Sequence, residues 1–444
     1  MQAATRSRLA LACILTTVLI DMIGVGIIVP VLPELLEELT GGSVANAAVI
    51  GGYLVFAYAL MQFVFSPVLG NLSDRFGRRP ILLASLLGLT FDYLMMSIAP
   101  FVWYLFIGRI IAGIAGAALA TATAYMADIT PPHKRTHRFG LIGAAFGLGF
   151  IIGPVIGGEL GELGPRVPFY AAAGLAFANF LFGLLVLPES LPKANRRKFN
   201  IKRANPLGAV VALRRYPSVL WLLGVLFFLQ LATQALPTIF SYFTVEVFNF
   251  TSSTIGRTLG AFGIGFAFSQ AVLTGPLSKG IGEPAVAIVG LMAAAAAFAG
   301  IAFSTDVYHL YLFIAVGTVS GLAPPAINGL LSRQVPDNSQ GELQGAVNAA
   351  SSLATIIGPL AATQIFSYYS DSSGTGHYFP GAPFIACGIA VVIALVIFAV
   401  AAWRFELSHR PSIANNPHVP DLPPPGQLRV APIDDDDDIN PRRR

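Results

Sequence analysis

Charged side chains are scarce in this sequence. Asp, Glu, Lys and Arg together account for 11% of its 444 residues, whereas they make up about a quarter of an average soluble domain. Hydrophobic residues account for 55%. So few charges cannot cover the surface of a soluble protein of this length, and the composition therefore excludes an ordinary soluble globular fold.

Cysteine, histidine and the common catalytic motifs are sparse as well. The two cysteines, Cys13 and Cys387, lie in apolar runs and are predicted to be small buried hydrophobic residues. The sequence contains no HExxH helix, no GxSxG elbow with partner residues and no Walker loop. Its six histidines fall in loops, at span ends or in the tail, at positions 133, 137, 309, 377, 409 and 418. We therefore predict no enzyme activity, no metal site and no bound cofactor.

Long apolar runs are what the sequence has in quantity. Each is about 20 residues or longer, enough to cross about 30 Å of hydrocarbon as a helix. There are twelve of them, at about 9–32, 44–69, 80–99, 101–126, 138–161, 167–188, 218–240, 257–277, 284–304, 306–331, 340–368 and 378–403. A membrane β-barrel would instead show alternating segments of about 10 residues. The pattern predicts an all-α membrane protein with twelve transmembrane helices, the first of them an uncleaved span rather than a secretory signal.

The few basic residues collect in alternate loops. They are dense in the loop 70–80 and in the segment 189–217, whereas the intervening loops are mostly acidic. This is the positive-inside asymmetry, and it predicts that both termini are cytoplasmic in a multi-pass protein of the inner (plasma) membrane. The net charge of +4 is then explained by the orientation of the protein in the membrane, and no nucleic-acid partner is expected.

The chain also repeats itself at a constant offset. Gly70 and Gly77 recur as Gly275 and Gly282, and "IIGP" at 151–154 recurs at 356–359, each 205 residues on since 275 − 70 = 282 − 77 = 356 − 151 = 205. This repeat predicts two pseudo-symmetric six-helix bundles related by an axis along the membrane normal, a plan typical of transporters with a site between the halves.

The repeat also divides the chain. We predict an N-terminal bundle over 1–188, a cytoplasmic linker over 189–217 and a C-terminal bundle over 218–403. The remainder, 404–444, is proline-rich, then acidic, then basic. Such a segment cannot bury a core, so it is predicted to be a disordered cytoplasmic tail.

Three charged residues fall inside the predicted spans: Asp21, Asp92 and Arg109. A charge at the centre of a membrane helix costs at least ~2.5–3.5 kcal/mol, so such residues usually pair, face the interior or carry protons. Their depths place all three in one layer. We predict that Asp21 is the principal acid that binds protons or substrate and that Arg109 regulates it electrostatically. The alternatives are a static ion pair for these two and a packing or interface role for Asp92.

Four motifs carry a family resemblance. "GNLSDRFGRRP" (70–80), "GRIIAGIAGA" (108–117), "GLGFIIGPVIGG" (147–158) and "DMIGVGIIVPVLP" (21–33) resemble signatures of the major facilitator superfamily, the last two those of its drug/proton antiporters. The resemblance covers about 9–403. It is strongest to the tetracycline/proton antiporters, in the segments "FDYLMMSIAP", "AYMADIT", "FFLQLATQ" and "LSRQVPDNSQGELQG".

This resemblance implies a monomeric secondary transporter that exports an amphipathic small molecule, tetracycline-like compounds included, in exchange for protons across the lipid bilayer. The proton gradient would be its only energy source. An uptake symporter or facilitator for a metabolite on the same fold is the alternative. One departure bears on the substrate: the family's histidine in span 8 and aspartate in span 9 are Phe266 and Ala294 here, which argues against a metal-chelated, cationic tetracycline.

The loop 70–80 is predicted to latch the cytoplasmic end, which a two-half transporter must hold shut in one state and release in the other. Arg78 or Arg79 is expected to pair with Asp128, and Asp74 to cap a helix N-terminus in the other half. The remaining members of the predicted gate are Gly70, Arg75 and Gly77. The alternative is that these charges only set the topology.

Two further sets of residues complete the predicted machinery. Small or bent positions that let helices pack closely are Gly147, Gly153, Pro154, Gly157, Gly158, Gly358 and Pro359. Uncharged polar and aromatic side chains predicted to contact substrate are Tyr53, Tyr58, Gln230, Gln234, Phe266, Gln270 and Asn328.

Overall fold

Twelve long apolar helices make up the part of the chain that the computed structural model describes, which is residues 2–116, 118–131, 134–197, 213–336, 339–370 and 378–406. We number them α1 to α12 in chain order. Their bounds are Leu9–Thr40, Val44–Phe76, Arg78–Ile98, Val102–Ile129, His137–Gly161, Val167–Val186, Pro217–Phe248, Ser252–Ile281, Glu283–Ala302, Val307–Arg333, Gln340–Ser370 and Ala382–Arg404. The predicted number of spans is confirmed. Most of the predicted tail, 407–444, and the linker residues 198–212 lie outside the described residues.

Several helices run beyond the apolar segments that predicted them, because helical hydrogen bonding does not stop where hydrophobicity does. Helix α1 continues to Thr40, and α8 begins at Ser252 rather than at 257. The hydroxyl of Thr251 accepts a hydrogen bond from the backbone N–H of Thr254 and so caps the start of α8. Polar caps of this kind set the helix ends and leave no trace in a hydropathy profile.

Asp306 begins α10 in the same way. Its carboxylate accepts hydrogen bonds from the backbone N–H groups of Tyr308 (2.9 Å) and His309 (3.0 Å). The bond from His309 lowers the pKa of the Asp306 carboxyl below its usual range. The cap therefore stays ionised at neutral pH, where its negative charge also favours the positive end of the helix dipole.

The helices pack in equivalent pairs in the two bundles. Helix α1 packs along α5, as α7 packs along α11, and α3 packs along α6, as α9 packs along α12. The bundles meet through α5 against α8 and α2 against α11. This arrangement matches the predicted pseudo-symmetry.

The connections between α2 and α3 and between α8 and α9 share one backbone device. Gly77 has φ 108° and Gly282 has φ 85°, a region that favours glycine. Each of these glycines ends one helix and begins the next. The two positions are 205 residues apart, so the sequence repeat is also a repeat of backbone conformation.

Close glycine packing joins α5 to α1. A Cβ atom added at Gly153 would lie 2.6 Å from the carbonyl oxygen of Ile23, and one at Gly157 would lie 2.7 Å from the Cα of Ile27. Real Cβ atoms do not approach a backbone this closely, so both positions require glycine. In the second bundle Gly358 lies equally close to the carbonyl oxygen of Leu231, 2.5 Å from an added Cβ, and the neighbouring Pro359 is buried.

The same face of α5 continues into the contact between the bundles. Pro154 and Gly158 lie against Gly256 and Ser252 at the start of α8. Gly147 is different, because an added Cβ there meets no atom within 4 Å. The prediction that Gly147 packs against a neighbouring helix is therefore wrong in this structure: α5 has already diverged from α8 at that level, and Gly147 lines the space between them.

This divergence defines which end of the protein is open. Helices α5 and α8 touch where Ile151 would meet a Cβ on Gly263 at 2.8 Å, and they stay in contact from there to Gly158 and Ser252. Toward the end that carries the loop 70–80 a cavity separates them. The structure is thus closed at the end opposite that loop.

Candidate substrate cavity and charged layer

The cavity between the bundles has a volume of about 480 Å³. Helix α5 contributes one wall and α7 to α10 contribute the others. Six phenylalanines supply much of the lining: Phe146, Phe150, Phe240, Phe262, Phe266 and Phe298. The polar side chains in the lining are amides and hydroxyls: Gln230, Thr233, Gln234, Thr258, Gln270 and Ser320. A largely apolar wall, rich in phenylalanine, with a few uncharged hydrogen-bonding groups is typical of small-molecule sites.

Two of the amides are held in place by α11. The Nε2 of Gln230 donates to the hydroxyl of Ser351 at 3.3 Å, and the Nε2 of Gln234 donates to the hydroxyl of Thr355 at 2.6 Å. Both partners lie one helical turn apart, as the glutamines do. This ladder fixes the orientation of two polar groups that would otherwise rotate freely in the cavity.

Irregular backbone positions the other polar groups. A π-helical turn at Ser269–Leu273 interrupts α8 and carries Gln270, and a 3-10 turn at Val319–Leu322 interrupts α10 and carries Ser320. The two turns contact each other. The hydroxyl of Thr274 donates to the carbonyl of Ser269 at 3.1 Å, which satisfies one backbone group of the π turn. Non-helical backbone at membrane depth is tolerated where it is buried or lines a cavity, and π turns occur often at functional sites.

Four predicted substrate residues line this cavity: Gln230, Gln234, Phe266 and Gln270. The other three lie outside its lining, at Tyr53, Tyr58 and Asn328. Tyr53 and Asn328 are exposed on the surface of the structure. Side-chain type within a span, polar or aromatic, was the signal used to select these residues, and it does not indicate which way a helix faces.

Sequence reasoning missed the contribution of α5. Phe146 and Phe150 lie one turn apart on the face that also carries Gly143 and Gly147. Their spacing is a usable signal, because it places two large rings on the same side as the glycines. Thr233, which was also missed, donates to the side-chain oxygen of Gln230 at 3.2 Å and so belongs to the same polar ladder.

A buried ion pair occupies the first bundle. Asp92 is completely buried and Arg109 is 8% exposed. The guanidinium of Arg109 donates to both carboxylate oxygens of Asp92, through Nε at 3.2 Å and through Nη2. A buried pair needs this bidentate geometry to offset the cost of removing both charges from water.

Glycine on α4 makes this pair possible. A Cβ at Gly108 would lie 2.7 Å from Oδ1 of Asp92, so only glycine lets α3 bring its carboxylate to the arginine. The guanidinium carbon of Arg109 also lies 5.6 Å from the ring centre of Tyr58, in the range of a cation–π contact. Tyr58 accepts a hydrogen bond from Gln62 at 3.3 Å, which adds a polar neighbour to the cluster.

Asp21 lies beside this cluster without joining the ion pair. It is half-buried, and its Oδ1 atom has no hydrogen-bond partner among the described residues. Tyr58 and Tyr93 lie within electrostatic range of it. The sequence predicted that Arg109 would act on Asp21; the direct partner of Arg109 is Asp92 instead, because α3 and α4 are neighbours joined through Gly108.

The charged layer and the cavity are separate. Asp21, Asp92 and Arg109 are absent from the described lining of the cavity, which holds no acidic or basic side chain. The two positions where the antiporters that the sequence resembles carry a histidine and an aspartate, Phe266 and Ala294, do line it. The first bundle therefore supplies the membrane-embedded charges and the second supplies most of the uncharged site.

The loop 70–80 forms an ionic cluster within the first bundle. Arg78 contacts Asp74 at 2.6 Å through Nη1 and Asp128 at 3.3 Å through Nε, so the predicted contact with Asp128 is present. Arg79 instead donates to the carbonyl of Leu184 at 2.6 Å. The sequence predicted that Asp74 would cap a helix of the other bundle; here it pairs with Arg78, as is consistent with bundles that are apart at this end.

The other members of the predicted gate surround this cluster. The guanidinium of Arg75 lies 5.0 Å from the ring centre of Phe76. The carboxylate of Glu189 lies beside Gly77 and accepts a hydrogen bond from the backbone N–H of Arg78 at 2.8 Å. Around Gly70 the structure leaves open space. Glu189 belongs to the predicted linker, which therefore begins as part of the cluster.

The second bundle has the equivalent ion pair with its charges exchanged. Glu283 and Arg333 lie 205 residues after Arg78 and Asp128, and they contact each other at 2.5 Å. In both bundles the pair joins the start of one helix to the end of the next. The geometry of the repeat is thus kept while the sign of each charge is reversed.

We expect each of these pairs to stabilise its own bundle. In a double-mutant cycle, Arg78→Ala and Asp128→Ala should show a coupling free energy of about 0.5–1 kcal/mol, since the pair is partly exposed. Exchanging the charges, as Glu283→Arg with Arg333→Glu, should retain most of the stability that either single change removes. Thermal unfolding of the purified protein in detergent measures both.

Arg75→Ala combined with Asp128→Ala provides the control for this cycle. Arg75 contacts the ring of Phe76, so its effect should add to that of Asp128→Ala without coupling. Strict additivity for Arg78 and Asp128 as well would show that their contact contributes nothing to stability.

The closed end is held by polar contacts between α5 and α8. Glu159 accepts hydrogen bonds from Arg257 Nε at 2.6 Å and from the Ser253 hydroxyl at 2.9 Å. Glu162 accepts one from the backbone N–H of Ser253 at 3.1 Å. Acidic groups at a helix N-terminus are favourable, yet exposed pairs of this kind contribute little individually. The polar contacts at this end are therefore individually weak enough to break reversibly.

Comparison with known proteins assigns the fold to a family. A sequence profile described as Major Facilitator Superfamily matches residues 14–359 and 222–431. The chain is 43% identical over 363 residues, 82% of its length and 91% of the relative's, to the tetracycline resistance protein, class C, of Escherichia coli. The chain belongs to the major facilitator superfamily. This member of the superfamily is a multi-pass inner-membrane protein, as the sequence predicted.

Other relatives of this superfamily member have broader names. It is 29% identical to multidrug resistance protein 1 of Bacillus subtilis (strain 168), over 88% of its own length and 97% of the relative's. Among solved structures, a bacterial homologue of the human lysosomal transporter Spinster, described as inward-facing and unoccupied, aligns with a TM-score of 0.74. That alignment covers 90% of this chain and 98% of the other at 16% identity, so it bears on the fold alone.

Proposed function

We propose that this protein exports amphipathic small molecules, tetracycline-like compounds among them, in exchange for protons by alternating access. The observation that carries the proposal is that the cavity and the membrane-embedded acid lie in separate parts of the structure. An aromatic cavity with fixed amides lies between the bundles, and a carboxylate oxygen without a hydrogen-bond partner among the described residues lies in the membrane part of the first bundle at Asp21. The tetracycline and multidrug resistance relatives support export of drugs.

Alternating access follows from the contacts at the two ends. In the present state α5 and α8 are closed at the end opposite the loop 70–80, and the cavity is accessible from the loop's own end. With the basic loops on the cytoplasmic side, as the charge asymmetry predicts, this state faces the cytoplasm and receives cargo there. Opening the other end requires the contacts of Glu159 with Arg257 and Ser253 to break.

Proton coupling is assigned to the charged layer of the first bundle. An apolar environment disfavours an ionised carboxylate, so we assign the binding and release of the proton to Asp21. Because Asp21 lies outside the described lining of the cavity, its protonation would act on the packing of α1 against its neighbours, and so on the balance between the two open states. We propose this indirect coupling in place of direct binding of substrate by Asp21.

Uptake of a metabolite on the same fold is the competing function. A symporter carries its proton and substrate across the membrane together, whereas an antiporter carries them in opposite directions on alternate half-cycles. The drug-resistance relatives favour export, and the aromatic lining fits an amphipathic cargo better than a strongly hydrated metabolite.

Replacing Asp21 with asparagine tests the coupling. In proteoliposomes under an imposed pH gradient, tetracycline should accumulate inside the vesicles that contain the parent protein while protons leave them. Asp21→Asn should lower proton-driven accumulation at least about 10-fold, because an amide cannot take up and release the proton. Exchange of labelled for unlabelled tetracycline without a gradient should persist, because the cavity is untouched.

Asp21→Glu is the matched control and should retain part of the gradient-driven transport. An Asp21→Asn protein that couples as well as the parent would rule out Asp21 as the proton carrier. A parent protein that concentrates tetracycline in the direction of the proton flux would instead support the symporter.

A further inference from the structure

The chemistry of the cavity points to a narrower class of cargo than amphipathic molecules in general. We infer, resting on the function proposed above, that the cavity selects a flat aromatic molecule in an uncharged form, through hydrogen bonds to its polar edge, and discriminates against an organic cation of the same shape. The shape, the polarity and the charge of the lining each contribute to this selection.

The aromatic side chains come from two neighbouring helices. Phe146 and Phe150 of α5 and Phe262 and Phe266 of α8 all line the space. The rings of Phe262 and Phe266 are 5.8 Å apart and tilted by 38°. Several rings in one lining suit the flat faces of a fused aromatic ligand, since aromatic pairs favour centroid distances of about 4.5–7 Å.

The polar groups of the lining provide hydrogen bonds without charge. Gln230 and Gln234 are oriented by Ser351 and Thr355, and Gln270 projects from the π turn of α8. Each amide carries both donors and an acceptor. These groups can match the carbonyl, hydroxyl or ring-nitrogen atoms along one edge of a neutral ligand.

A cation finds no counter-charge here. All the lining residues are described, and none of them is Asp, Glu, Lys, Arg or His. The buried carboxylate of Asp92 is already paired with Arg109 in the first bundle. An organic cation would lose its hydration on entering and would gain only amide dipoles and ring faces, whereas its neutral isostere loses much less. Cation–π contacts with phenylalanine recover only part of that loss.

A matched pair of dyes tests the inference directly. Acridine is uncharged at a pH of about 7.5, and 10-methylacridinium has the same three fused rings with a permanent positive charge. Binding to the purified full-length protein in lipid nanodiscs, followed by fluorescence anisotropy, should be at least about 10-fold tighter for acridine. Equal affinity, or tighter binding of the methylated cation, would overturn the inference.

Adding a carboxylate to the lining should reverse the preference. Ala294→Asp should strengthen binding of 10-methylacridinium relative to acridine at least about 10-fold, and Ala294→Asn, which adds nearly the same volume without charge, should keep the parent's preference. Ala294 is buried, so a carboxylate at that position also challenges folding. Gln270→Glu therefore provides a second carboxylate at an exposed position, where the change should not affect folding. A preference unchanged in both acidic variants would also overturn the inference.

Two further variants locate the bound dye and separate this inference from proton coupling. Phe266→Ala should weaken acridine binding about 10-fold. Phe91→Ala, at a surface position on α3 that is 57% exposed, should not weaken it. The same small effect from both variants would place the dye elsewhere and overturn the inference. Asp21→Asn should keep the parent's ratio of acridine to 10-methylacridinium affinities, because Asp21 lies outside the lining. Loss of proton-driven transport with this preference intact, or the reverse, shows which of the two proposals fails.

Discussion

Replacing Asp92 with alanine is expected to destabilise the protein by about 3–5 kcal/mol, because the change leaves the Arg109 guanidinium buried without its counter-charge. Arg109 is 8% exposed and Asp92 is completely buried. Water cannot readily replace the lost carboxylate at such a position. The measurement is thermal unfolding in detergent, with the fraction of protein that remains monodisperse after heating as the readout.

Removing both charges together should largely restore stability. In Asp92→Leu with Arg109→Met, apolar side chains of similar size take the place of the pair, and such replacements are often neutral or stabilising. Asp21→Asn is the comparison at a membrane carboxylate outside the ion pair, and it should change the unfolding temperature little. If Asp92→Ala were as stable as Asp21→Asn, the ion pair would not be a structural element of the first bundle.

Substituting leucine for Gly157 is expected to disrupt packing of α5 against α1 and to cost more than about 3 kcal/mol, since overpacking commonly costs about 1–3 kcal/mol even in cores that adjust. A Cβ at this position would lie 2.7 Å from the Cα of Ile27, and it would also meet that residue's carbonyl oxygen. Backbone atoms cannot move aside as the end of a flexible side chain can. Expression level and unfolding temperature report the effect.

Gly147→Leu is the matched control on the same helix. It carries the same change in side chain, yet an added Cβ there meets no atom within 4 Å, so stability should be nearly unchanged. Since Gly147 lines the cavity, the leucine should instead weaken binding of acridine. Equal losses of stability at both positions would show that the contact with α1 does not explain the requirement for glycine at position 157.

The sequence was most informative where one physical variable dominates. Hydrocarbon thickness sets how long an apolar run must be, so the twelve spans could be counted from hydropathy alone. The offset of 205 residues likewise predicted that Gly77 and Gly282 would be equivalent, and both adopt a positive φ. The contact between Arg78 and Asp128 was also predicted.

The sequence was least informative about which way a side chain faces. It placed Asp21, Asp92 and Arg109 in one layer, since membrane depth follows from counting residues along a helix. It paired Arg109 with the wrong aspartate, because the direction in which a side chain points around the helix axis matters only relative to the neighbouring helices. The π turn that presents Gln270 was likewise not predicted. It packs against the 3-10 turn of α10, a tertiary contact that no local pattern encodes.

The primary sequence determined the number of spans, the internal repeat, the family and the presence of rare charges in the membrane, because each follows from composition or spacing along one chain. Only the tertiary structure decided that the charges gather in one bundle and the aromatic cavity lies mostly in the other. The reason is geometric. Helices at equivalent positions of the two bundles, 205 residues apart, carry different side chains. The contacts of those side chains with neighbouring helices decide which charged and aromatic groups lie together.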